Sequence, residues 1–304
     1  MLDVLACIDK ARRAGLGLLG ALIRRATTMA KPNHIELGNH ERLPILYEDR
    51  AALAIDKPPG WMLVPVSWQD TPHNLQAALL SSLQTGAFWA RSRHLKFLRY
   101  VHRLDAETSG VLLLAKSHGA LESLSALFEA RRVEKVYLAV VHGVPSAAAW
   151  VCRLAIAPDP RQTGRMRTVA HGGKEAETAF RVLETVSVAN AHPRTLIEAR
   201  PWTGRTHQIR LHLAAAGHPV VGDPLYGPAG PSPASAASPS VEGQRPAGSA
   251  RAMGGLGLRA VSLDYRDPFT HRPVRIQAPA DRFLRDYGFR PLTTAGCLAC
   301  SPDA

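Results

Sequence analysis

From Ile45 to Ala278 the sequence is a succession of short strand-forming runs with few helical patterns between them. Ile45–Tyr47 and Ala51–Ile55 flank an Asp49-Arg50 turn and run into the breaker Lys57-Pro58-Pro59-Gly60. Val111–Ala115, Lys135–Val141, Thr178–Glu184, Thr195–Arg200, Leu256–Leu263 and Val274–Ala278 follow, the last two joined by a turn at Asp267-Pro268. Two stretches have helical character. Gly119–Arg131 carries Leu121, Leu124 and Phe128 on one face with Ser117 as its cap. Thr206–Gly217 begins at Thr206, a capping residue, and ends at Gly217 with Pro219 just beyond. A doubly wound fold needs a helix between successive strands, so the predicted class is α+β: a mixed, largely antiparallel sheet flanked by helices and loops. Within Lys135–Val141, Lys135, Tyr137, Ala139 and Val141 share one face, which puts Tyr137 on the less apolar side.

Composition narrows the partners. Of 304 residues 46% are hydrophobic, and no apolar run approaches the ~20 residues of a membrane-spanning helix. The formal charge of +12 comes mostly from arginine, whose planar fork suits phosphate, so nucleic acid is the first partner to consider. Of Cys7, Cys152, Cys297 and Cys300 only the last two form a C-x-x-C, too little for a closed zinc site and in keeping with a reducing cytoplasm. The expected organisation is a poorly ordered extension over 1–40, a catalytic domain over 41–290 and a tail over 291–304. Inside the domain, 228–255 is a Pro, Ala, Ser and Gly stretch that cannot bury enough apolar surface to order itself and is expected to be a disordered insert.

The stretch most able to carry chemistry is Val101-His102-Arg103-Leu104-Asp105-Ala106-Glu107-Thr108-Ser109-Gly110, where a carboxylate sits among basic and small residues ahead of a strand. An ionised aspartate in a cleft needs a cation, and Arg103, Arg205 and Arg210 are the candidates. So held, it can attack an electron-poor carbon, take a proton or stabilise an oxocarbenium ion. The competing reading is a turn or cap residue. A metal site built on His102, Asp105, His207 and Asp223 is disfavoured by the surrounding arginines, and Ser109 lacks a nucleophile-elbow setting.

His102–Gly110 resembles the H-R-L-D-x-x-T-S-G signature of the RluA family of pseudouridine synthases. Further blocks agree in order: Lys57-Pro58-Pro59-Gly60, Lys135-Val136-Tyr137-Leu138-Ala139, Gly173-Lys174-Glu175-Ala176 with Thr178, Thr203–Leu213, and Gly222–Gly227. The resemblance implies a pseudouridine synthase-like fold and isomerisation of uridine in ribosomal or transfer RNA. It implies RNA as the only partner, with no cofactor, metal or membrane, and action as a cytoplasmic monomer. It assigns catalysis to Asp105, to Tyr137 as the residue that stacks on the target uracil, and to Arg205 as the arginine paired with the carboxylate. RNA contacts fall to Arg103, which fills the gap left by the everted uridine, to His102, Thr108 and Lys135, and to Leu213 against the base. Arg132, Arg161, Arg165 and Arg167 would meet phosphates. The chain departs from the family at Arg259, where a histidine is usual, and at Trp61-Met62-Leu63-Val64-Pro65, which lacks a histidine that many members carry. The residues before Ile45 are too few and poorly patterned for a separate RNA-binding module. A non-catalytic RNA-binding relative and a base-releasing N-glycosylase are the alternatives.

Overall fold

Asp49 closes a hairpin by accepting, at Oδ1, the backbone N–H groups of Ala51 and Ala52 at 2.7 and 2.6 Å, which turns the chain between β2 (Arg42–Glu48) and β3 (Ala52–Lys57). The computed structural model describes residues 31–38, 40–63, 73–187, 192–228 and 255–292. Most of the expected N-terminal extension, nearly all of the insert, and Cys7, Cys297 and Cys300 lie outside the described residues. The unit that begins at His34 holds every strand and helix named here.

β1 (His34–Glu36) borders β2, and β3 pairs antiparallel with β5 (Ser109–Ala115) from Ala52 opposite Ala115 to Lys57 opposite Gly110. β5 then lies parallel to β12 (Leu258–Arg266), and β12 runs antiparallel to β6 (Val133–His142). β11 (Arg194–Pro201), β10 (Thr178–Val186) and β7 (Ala149–Cys152) continue the sheet antiparallel, while β4 (Arg99–Tyr100) and β13 (Pro273–Gln277) pair with β5 and β12. The result is an eleven-stranded, mixed and mostly antiparallel sheet, with β8 (Ala155–Pro158) and β9 (Met166–Val169) forming a separate hairpin. This is the predicted α+β class.

Helices cover both faces. Leu112 and Leu114 of β5 pack with Leu75 and Leu79 of α1 (Leu75–Gln84) and Trp89 of α2 (Phe88–Arg91). Val111, Leu113 and Ala115 face Ala120 and Leu124 of α3 (His118–Glu129), where Ser117 caps the helix through the Ala120 N–H as its sequence implied. Each leucine so buried contributes roughly 1.5–3 kcal/mol. β6 divides likewise: Val136, Leu138 and Val140 meet Phe283 and Leu284 of α5 (Asp281–Asp286), and Tyr137, Ala139 and Val141 meet Ile209 and Leu213 of α4 (Gln208–Ala215). Both faces of β6 are therefore buried, and the Tyr137 side of the strand is not a polar one. Among the described residues no helix is long and apolar enough to cross a membrane.

The parallel β5–β12 pairing depends on Gly110. Its φ is +111°, and a Cβ there would stand 2.0 Å from the Ala260 carbonyl oxygen. Gly110→Ala is expected to cost roughly 2–3 kcal/mol through strained backbone and separated strands, read as a lower unfolding midpoint in urea. A midpoint unchanged from wild type contradicts the proposed close approach.

Candidate active site

Asp105 sits on the loop between β4 and β5, and several contacts fix that loop. The Thr108 N–H donates to the Asp105 carbonyl at 3.1 Å, and the Ala106 carbonyl receives the Gly60 N–H at 2.8 Å and Lys57 Nζ at 2.9 Å. Lys57 is fully buried and also donates to the Pro58 carbonyl at 2.9 Å. Burial pulls its pKa down to about 8 against the opposing pull of Glu107 and Asp105. The Lys-Pro-Pro-Gly turn thus serves as a clamp on the aspartate loop.

His102 closes the other side. Its Nε2 accepts the Leu113 N–H at 3.2 Å, and its ring stacks on Phe128 with centroids 4.8 Å apart. An accepting Nε2 places the proton of the neutral ring on Nδ1. Burial, followed by the nearby Lys135 charge, lowers the imidazole pKa from 6.5 to about 4. Between those values the unfolded chain binds the proton and the folded chain does not, so stability falls as pH drops from 6.5 towards 4. His102→Gln should flatten that part of the unfolding free-energy profile by up to one proton. An unaltered slope would place His102 in a solvated setting.

The opposite wall is α4, entered through His207 at φ 56°. Thr206 is not its cap, contrary to the expectation from sequence. The Thr206 hydroxyl instead accepts Arg103 Nη2 at 3.0 Å, and the Gln208 side chain takes the Arg205 N–H at 2.9 Å. Arg210 points inward from the helix with only 1% of its side chain exposed. Its Nη1 lies 3.3 Å from Asp105 Oδ2, while Nε and Nη2 donate to the two oxygens of Asp223 at 2.8 and 2.7 Å. Asp223 is itself buried and also accepts the N–H groups of Leu225 and Tyr226. Burial works against the Asp223 charge, but Arg210 and these amides outweigh it and hold the carboxyl below its usual range. Burial likewise opposes the guanidinium charge, and Asp223 reverses the balance and pushes Arg210 above its ordinary value. A fixed cation therefore faces the more exposed Asp105.

Asp105 opens into a cleft of about 670 Å³. His102, Arg103, Thr108, Lys135, Tyr137 and Arg205 line it too. Burial, then the Asp105 charge, raises the Tyr137 phenol well above its ordinary range and keeps it protonated. Lys135 Nζ donates to the Thr203 carbonyl at 3.1 Å, and burial followed by Arg131 lowers its pKa to about 8. The Thr108 hydroxyl is buried without a hydrogen-bond partner.

Two placements differ from the sequence expectation. Arg210, not Arg205, contacts Asp105. Arg205 precedes the helix on its entry turn, where Nε is tied to the Glu175 carbonyl at 2.8 Å. Leu213 does not line the cleft: it is fully buried with Val220 and Leu258, and Ile209, one turn nearer the helix start, is the α4 aliphatic at the opening. Arg259, standing where the family usually has histidine, bridges Asp56 at 2.7 Å and the Pro279 carbonyl at 3.0 Å, a structural tie between β12 and β3. Among the described residues no cluster of three or more His, Cys, Asp or Glu could hold a metal ion.

A family model described as RNA pseudouridylate synthase matches residues 52–215, the span from β3 through α4 that supplies most of this cleft's lining. The chain belongs to that family. Ribosomal large subunit pseudouridine synthase C of Salmonella typhimurium (strain LT2) is 34% identical over 242 residues, covering 79% of this chain and 67% of the relative. The protein of the same name from Escherichia coli K12 is 35% identical over 243 residues with the same coverage. The solved structure of human RNA Pseudouridylate Synthase Domain Containing 1 superposes with a TM-score of 0.62 at 26% identity, covering 88% of this chain and all of that one. The RluA-type resemblance of the motifs thus agrees with the whole-chain comparisons, and this pseudouridine synthase is an isomerase of RNA nucleotides.

Proposed function

We propose that Asp105 is the catalytic carboxylate of this synthase and that its target is a uridine in structured ribosomal or transfer RNA. The observation that carries the reading is the Asp105–Arg210–Asp223 arrangement at the wall of a cleft that also holds Tyr137. In the reaction the N1–C1′ bond of uridine breaks, a C5–C1′ bond forms, the C5 hydrogen leaves as a proton and N1 gains one. Asp105 acts beside the glycosidic carbon, by attack or by removing the 2′ proton, with the Arg210 guanidinium facing it at 3.3 Å in either role. The protonated Tyr137 offers an aromatic face to the uracil, and its hydroxyl relays the C5 proton by passing its own proton to water as it accepts that one.

Chemistry at C1′ and C5 requires the nucleotide to leave its stack, at a cost of a few kcal/mol. Arg103, exposed at the cleft and hydrogen-bonded to Thr206, stacks in the gap. His102 and Lys135 act through the loop and the Thr203 turn, and Thr108 acts through the backbone N–H that it donates to the Asp105 carbonyl. One copy of the chain, acting in the cytoplasm without metal or cofactor, suffices for this chemistry. The names of the curated relatives support large-subunit ribosomal RNA as the first target to test. Mapping pseudouridines in cellular RNA with and without the protein tests the reading: a site lost on deletion is expected, and an unchanged map in ribosomal and transfer RNA overturns it.

A further inference from the structure

Trp202 is 57% exposed and lines the rim of the cleft. The other exposed large apolar side chains among the described residues, Phe88, Val144, Val151, Leu154 and Phe269, lie away from it. An indole left in water forgoes a large hydrophobic gain unless a partner covers it. Its backbone is firmly held. The Trp202 N–H donates to the Glu177 carbonyl at 2.9 Å. Buried Thr203 then accepts the Glu177 N–H at 3.0 Å and donates to Gln208 Oε1 at 2.7 Å, while its carbonyl receives Lys135. The ring is therefore presented on a rigid turn and not on a loose loop. Guanidinium groups border the same cleft: Arg205 three residues on, and Arg103 hydrogen-bonded to Thr206 of the same turn. An aromatic face beside cations is the arrangement that holds unpaired nucleotides, with the ring taking a base and the cations its phosphates.

We propose that Trp202 is a specificity-determining stacking platform for the base next to the everted uridine in the RNA chain. The inference rests on the functional reading above. One base occupies the interior beside Tyr137, and Trp202 takes a neighbour at the rim. Since every base has a π-face, the indole selects for an unpaired flanking nucleotide and not for its identity. Uridines whose neighbours are locked in a duplex are then poor substrates.

The test uses the full chain and a stem-loop RNA containing the mapped uridine, with each flanking nucleotide in turn made abasic. Binding and single-site turnover are measured for wild type, Trp202→Ala and Trp202→Phe. Trp202→Ala is expected to raise Kd and KM about tenfold with kcat changed less than twofold, and Trp202→Phe to recover most of the loss. At one flanking position the abasic RNA should weaken wild type by a similar factor and weaken Trp202→Ala hardly at all. Losses that multiply at every position, or an Ala variant that binds like wild type, overturn the proposal. Failure of the underlying reading has a different signature: wild type binds the RNA but makes no pseudouridine, and the binding arm still reports on stacking.

Discussion

Asp105→Asn lowers pseudouridine formation by about 10⁴-fold or more while RNA affinity changes by less than about tenfold. The substitution preserves shape and removes the charge on which both chemical routes depend. Little else should move, because Arg210 keeps its two bonds to Asp223 and the Asp105 backbone stays tied through Thr108 and the Ala106 clamp. Single-turnover measurement on the mapped RNA separates the two quantities. A variant whose turnover stays within tenfold of wild type removes Asp105 from the mechanism. A variant that loses binding and turnover together makes the carboxylate a determinant of docking.

Asp223→Ala destabilises the protein by about 3–5 kcal/mol, because it strands a buried guanidinium that has two fully engaged bonds to that carboxylate. Arg210 and Asp223 side chains are 1% and 0% exposed, so water cannot replace the partner. For a chain of this size the expected fall in Tm is about 10 °C. Turnover drops as well, since Asp223 aims the cation that Asp105 faces. The pH dependence has a definite sign. The folded carboxyl titrates below its ordinary value of 3.8, so its stabilisation is complete above that value and is lost as pH falls through the lower folded one. Wild type and variant should therefore converge in strong acid. A destabilisation under about 1 kcal/mol at neutral pH contradicts the assigned pairing.

Local signals in the sequence carried much of the fold. The Ser117 cap, the Asp49 turn and the Gly217 helix end each work through a residue's own backbone chemistry, and the structure realises all three. The elements that were not legible lack such signals. α1 buries Gln76 and Ser82 beside Leu75 and Leu79, which blurs its apolar face, and β7, β8 and β9 are only four residues each, β7 taking shape from pairing with the distant Thr178 strand and β8 and β9 from pairing with each other. Of the eight residues that the motifs assign to catalysis or base and loop contacts, all but Leu213 line the cleft, whereas Arg132, Arg161, Arg165 and Arg167 lie outside its lining. Which arginine meets Asp105 was not decidable from spacing, because Arg205 and Arg210 lie on one short segment and their directions depend on where α4 begins. A charged residue between Ile209 and Leu211 in a buried helix was the available clue, since only a paired arginine survives there. The clamp by Lys57 had no such clue: a buried lysine that caps loop carbonyls reads in sequence as part of a turn.

Asp105, facing Arg210, is proposed to drive the move of the ribose from N1 to C5 of the same uracil. RNA carrying tritium at C5 of the mapped uridine reads this directly, because the new carbon–carbon bond must expel that hydrogen. Wild type is predicted to release one tritium per pseudouridine formed with no free uracil, and Asp105→Asn to release none. Free uracil without tritium release would make the chain a glycosylase, and tritium release by the Asn variant at the wild-type rate would contradict the role given to Asp105.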